Sequence, residues 1–145
     1  MTPGSMSDEG EFAKSTTFEN LRAAFAEEAA LAYRYLYFSV LADFEGLDRH
    51  SALFKEIAEG GEDFVQGCFD FLKLARDPDS GLAVGGTLKN MESLLQIEAR
   101  QQGRTYPEMA KAARAEGFPD IASWFDTLEK AKRAHVQKLR KLSGG

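Results

Sequence analysis

The stretch TTFENLRAAFAEEAALAYRYLYFSVLADFEG, residues 16–46, contains no proline and no glycine before Gly46. Thr16 and Glu19 form a capping-box pattern at its start, and Gly46 supplies a stop signal at its end. Between them Phe18, Leu21, Phe25, Glu28, Ala32, Tyr35, Ser39 and Ala42 recur in steps of three and four. That is the seam of a long helix, not of a strand. The seam is apolar except at Glu28, near its middle.

Working outward, the same pattern recurs three times. A second helix is expected from about Asp48 to Arg76, with Leu53, Ile57, Gly61, Phe64, Cys68, Phe71 and Ala75 on its inward face. A turn-rich connection, 77–86, follows. A third helix begins at Thr87 and ends before Gly117, with a kink or bulge near Tyr106 because Gly103 and Pro107 interrupt it. A fourth starts with Pro119 in its first turn and runs to about Leu142. Short links at Gly46 and Gly117 make two antiparallel hairpins, similar in plan. The fold class expected is all-α: an antiparallel four-helix bundle of two helical hairpins joined by a long crossover. The domain spans 16–142. Residues 1–15 are expected to be disordered or tag-derived, and 143–145 frayed.

The chain has 145 residues, a net charge of -5 and 43% hydrophobic residues, which suits one globular domain. An acidic balance argues against nucleic acid. No apolar run reaches the roughly 20 residues of a membrane-spanning helix, and no signal-peptide pattern opens the chain. The lone cysteine, Cys68, excludes an intrachain disulfide, and a cytoplasmic location is expected.

The middle third of the seams carries Glu28, Glu98, Gln101, Lys132 and His135, placed at similar depth on three helices. Burying charges costs several kcal/mol per ion unless they pair or bind metal, so the cluster demands an explanation. His50 reads as a surface or capping residue, Cys68 as a buried thiol, and the aromatic run at 33–38 as packing with only Tyr35 turned inward.

Three stretches resemble the di-iron domain of rubrerythrins, in the ferritin-like superfamily. They are Phe25-Ala26-Glu27-Glu28-Ala29 with Tyr33 to Phe38, Tyr106-Pro107-Glu108-Met109-Ala110-Lys111, and Ala115-Glu116-Gly117-Phe118 with Ile121 to Phe125. The resemblance covers residues 17–142 and implies a site with carboxylates from all four helices and a Glu-x-x-His pair on the second and fourth. Carried over, Glu28, Glu98 and His135 match ligands. Gly61 and Phe64 stand where the second-helix pair would be, Gln101 replaces a carboxylate, and Lys132 replaces the fourth-helix glutamate. Tyr35 and Tyr106 match tyrosines that line the family's site. The family's rubredoxin-like tail is not found in the sequence. Glu62 is a candidate substitute ligand, although it lies about 100° off the seam.

Three states of the site follow. In one, the Lys132 ammonium replaces metal among Glu28, Glu98, Gln101 and His135. In another, Glu28, Glu98 and His135 hold a single metal, iron or zinc. The third, an intact di-iron centre, lacks too many carboxylates. The functions to weigh are a rubrerythrin-type peroxide- or oxygen-dependent oxidoreductase needing an external electron donor, and a metal-free binding or structural bundle. A metal-free redox site using Lys132 and Tyr35 is a remoter third. A homodimer is the assembly to expect.

Overall fold

The computed structural model describes residues 6–144, all of whose regular structure is helical. The elements are α1 (Met6–Ala13), α2 (Thr16–Phe44), α3 (Asp48–Leu72), α4 (Thr87–Arg100), a π-helical turn (Gln101–Thr105), α5 (Tyr106–Ala115) and α6 (Pro119–Gly144). They fall into two compact units, divided after Pro78.

The first unit is the α2–α3 hairpin with α1 at its start. Its reversal is a Schellman motif: the Leu47 N–H reaches the Ala42 carbonyl at 2.9 Å and the Gly46 N–H the Asp43 carbonyl at 3.0 Å. Gly46 has φ +78°, a conformation that a Cβ would strain. The helices meet through small residues, with Ser39, Ala42, Ser51, Ala58 and Gly61 all buried. Ser51 Oγ donates to the Ser39 carbonyl across the hairpin at 2.8 Å, satisfying a buried hydroxyl. Aromatic contacts fill the rest. Phe25 lies 5.4 Å from Phe69, Tyr35 lies 5.9 Å from Phe54, and the Arg76 guanidinium stands 5.0 Å over the fully buried Phe18 ring.

The second unit pairs α4, the π turn and α5 with α6. Its reversal uses the same motif: Phe118 N–H to Ala113 carbonyl at 2.8 Å, Gly117 N–H to Arg114 carbonyl at 3.2 Å, and Gly117 at φ +86°. The expected bulge is therefore a π turn. Pro107 cannot donate to the carbonyl four residues back and its ring crowds that position, and a widened turn relieves both. The connection ahead of α4 lies along that helix. Arg100 donates to the Asp79 carbonyl, Gln96 to the Ser80 carbonyl, and Asn90 exchanges two bonds with Gly85.

Several expected boundaries shift. Ser15, not Thr16, caps α2: its hydroxyl accepts the Phe18 N–H at 3.0 Å and donates to the Phe12 carbonyl at 2.6 Å. One side chain thus begins α2 and closes α1, a helix inside the 1–15 segment expected to lack order. Residues 1–5 and 145 lie outside the described residues. The second long helix stops at Leu72, not near Arg76, and passes into turns. The last helix continues through Ser143 and Gly144, which were expected to fray.

Candidate functional site

The candidate residues form a cluster in each unit. In the first, Glu28 and Tyr35 from α2 and Gly61 and Phe64 from α3 line one small pocket of about 110 Å³, closed by Leu31, Ala32 and Ile57. Gly61 packs against Ala32: a Cβ built there would meet the Ala32 Cβ at 3.4 Å, an ordinary contact that leaves no room for a larger side chain. Glu28 is half-buried and is the only charged residue of the lining. Phe64 borders the pocket but leaves 64% of its surface exposed. Glu62 is exposed and does not line the pocket, as its angular offset implies.

In the second unit the polar residues bond to one another. Lys132 Nζ donates to Glu98 Oε1 at 2.8 Å. His135 Nδ1 lies 3.2 Å from Oε1 and 3.0 Å from Oε2 of the same carboxylate. An ionised carboxylate only accepts, so Nδ1 carries the proton in this contact and Nε2 is left for another partner. Burial pushes the Glu98 carboxyl up, but the bonds from Lys132 and His135 and their charges outweigh it, and its pKa falls below the ordinary 4.5. The Lys132 and Glu98 side chains keep only 22% and 18% of their surface exposed. Salt screening therefore weakens this pair less than a surface one.

Gln101 opens the π turn, and its Oε1 is buried without a hydrogen-bond partner. Tyr106, just past the turn, stacks on Phe125 at 6.3 Å. A second acidic group, not anticipated from the seam, sits beside this cluster. Glu129 accepts from Gln102 Nε2 at 3.2 Å and from Arg133 at 2.5 Å. Those hydrogen bonds, Gln102 first, lower its pKa. The spacing of Glu129 and Arg133, four apart on one helix, was the signal available for it. Among the described residues, no group of three or more His, Cys, Asp or Glu side chains is arranged to hold a metal ion.

No protein-family model matches the chain. Individual relatives do. The chain is 34% identical over 138 residues to a rubrerythrin of Clostridium perfringens, covering 88% of this chain and 69% of the relative. It is 30% identical to rubrerythrin-1 of Clostridium acetobutylicum, over 87% of this chain and 69% of that one. The chain belongs to the rubrerythrin family. A third rubrerythrin, from Porphyromonas gingivalis, is 29% identical over 86% of this chain and 64% of its own length. The resemblance read from three short stretches thus extends over most of the chain, and the fold class is all-α and ferritin-like. This rubrerythrin-family chain spans about two thirds of the length of these relatives. No described helix is long and apolar enough to cross a membrane.

Proposed function

We propose that this chain is a rubrerythrin-family protein whose site is degenerate, with the Lys132 ammonium standing where the family places metal. The observation that carries the reading is the 2.8 Å bond from Lys132 to Glu98. A carboxylate that would neutralise a cation is already neutralised by the chain's own cation, and His135 completes it. The donor set does not fit two metal ions: Gly61 offers no donor, Phe64 offers a ring without nitrogen, and Gln101 is uncharged. In this reading the protein acts as a metal-free binding or structural member of its family rather than as a peroxidase. The test is peroxide consumption by protein expressed with added iron and supplied with a reductant. The reading expects no turnover above buffer; sustained turnover would overturn it.

A single-metal site has one observation in its favour. Gln101 Oε1 is buried without a hydrogen-bond donor, an acceptor that a bound cation could satisfy. If Lys132 swings aside, Glu98, His135 and, by the resemblance, Glu28 are the ligands for one iron or zinc ion. Such a form would support family-type oxidoreductase chemistry only with an external electron donor. The acidic composition supports a protein that does not bind nucleic acid.

A further inference from the structure

We propose that Lys130, Arg133, Lys138, Arg140 and Lys141, on the side of α6 turned away from α4 and α5, form a docking stripe for an acidic protein segment carrying a row of carboxylates. This goes beyond the proposed state of the polar site and does not depend on it, since Lys132 and His135 face Glu98 instead.

After Glu129 the chain carries Lys130, Lys132, Arg133, Lys138, Arg140 and Lys141 and no acidic residue. At about 100° per residue, all of these but Lys132 fall within roughly 80° of Lys130. Leu128, Lys132, Val136 and Leu139 fall on the opposite side, where Lys132 reaches Glu98 and Val136 is buried. The stripe therefore belongs neither to the core of its unit nor to the polar cluster. Arg133 is held by Glu129. Lys130, Lys138, Arg140 and Lys141 form no ion pair among the described residues. Two plainer accounts fall short. The helix dipole favours cations within the last turn, which holds only Lys141. A solvated helix face mixes signs at spacings of three and four, as Glu129 and Arg133 do, but nothing on α6 balances the charge beyond them.

The charge selects the occupant. Whatever approaches this side must be anionic, because an apolar or cationic surface would leave the ammonium groups desolvated and unpaired. The side chains between the cations are Ala134 and Gln137. An anionic membrane takes hold through large apolar side chains beside the cations, and single-stranded nucleic acid stacks on aromatic rings; the stripe offers neither. A long duplex would meet the repulsion of a chain with net charge -5. A compact row of carboxylates meets the requirement. A helix with glutamate at i, i+4, i+7 and i+11 presents one over roughly 17 Å, the same rise that separates Lys130 from Lys141. Lysines, which make up three of the four unpaired cations, act as hydrated point charges, so the contact is steered by charge and sensitive to salt.

The experiment is fluorescence anisotropy of a labelled helical peptide bearing glutamate at those four positions, titrated with the full chain at low and at physiological salt. Saturable binding is expected with a dissociation constant below about 100 µM at low salt, weakened at least about tenfold at physiological salt. Lys130→Glu with Lys141→Glu should weaken binding at least about thirtyfold, with helicity unchanged by circular dichroism. Lys55→Glu with Lys89→Glu makes the same change in net charge away from the stripe and should stay within about twofold. If the first pair proves unfolded, Lys130→Gln with Lys141→Gln decides, with a loss of about fivefold expected. Absence of saturable binding, whatever stands against α6, would overturn the proposal. Equal losses from the two lysine pairs would do the same, as would tighter binding to anionic lipid vesicles or to duplex DNA than to the peptide.

Discussion

The two hairpins reverse through the same Schellman motif, at Gly46 and at Gly117, yet they treat their middle positions in different ways. In the α2–α3 hairpin the positions that match a Glu-x-x-His pair are Gly61 and Phe64, a vacancy and an apolar ring. The helices close over the vacancy, with Gly61 buried against Ala32, and one carboxylate remains. In the hairpin formed with α6 the corresponding positions stay polar. Lys132, which on the proposed reading stands at a glutamate position, donates to Glu98, and the ammonium and His135 together occupy both oxygens of that carboxylate. One half is adjusted by packing and the other by charge. On the proposed reading, two hairpins of similar plan depart from a common ligand pattern by unrelated physical routes. Each route predicts a different sensitivity to mutation.

The largest effect is expected at the charged half. Glu98→Ala leaves an ammonium only about one-fifth exposed without its partner. Breaking a buried pair from one side costs about 3–5 kcal/mol, and partial solvent access reduces this to about 2–3 kcal/mol. Urea denaturation measures it, and a loss below about 0.5 kcal/mol would show that the pair contributes little. The packed half comes next. Gly61→Leu should cost about 1–2 kcal/mol by overpacking against Ala32. Gly61→Ala should be neutral or stabilising by up to ~1 kcal/mol, since 3.4 Å is an ordinary contact and alanine favours the helix. Thermal unfolding of the two variants side by side separates volume from propensity.

Acid should distinguish the halves further. The folded-state pKa of Glu98 lies below its ordinary 4.5. Its contribution is therefore fully present above that value and is lost as pH falls through the lowered one. Wild-type stability should fall more steeply below about pH 5 than that of Lys132→Met, which lacks the ammonium. Parallel slopes in pH-dependent denaturation would contradict the assignment. The smallest effect is expected from Phe64→His. Its exposed ring contributes little, so stability should change by less than about 0.5 kcal/mol, and metal content should stay near zero while Gly61 and Lys132 remain.

Much of this architecture is legible in the sequence because its signals are local. Gly46 and Gly117 fix the reversals, Pro119 opens α6, and Gly103 with Pro107 marks the π turn. The ends of α1 and α3 are less legible. Ser15 links two helices with one hydroxyl, a choice that the neighbouring Thr16 obscures, and the residues after Leu72 have helical propensity but pass into turns. At the site, heptad-like spacing brings Lys132 and His135 to Glu98. The Glu129 and Gln102 contact escapes it because the π turn at Gln101–Thr105 interrupts the helical register there. The exposure of Phe64 was likewise hidden, since periodicity places a residue on a face without saying what covers that face.

The most direct test is the metal content per chain of protein expressed with added iron, measured by plasma emission for the wild type and for Lys132→Glu. If the Lys132 ammonium holds the cation position, the wild type carries almost no metal and the variant, which gains a carboxylate and loses the competing charge, takes it up. Stoichiometric iron in the wild type would contradict the account and return the chain to metal-dependent oxidoreductase chemistry.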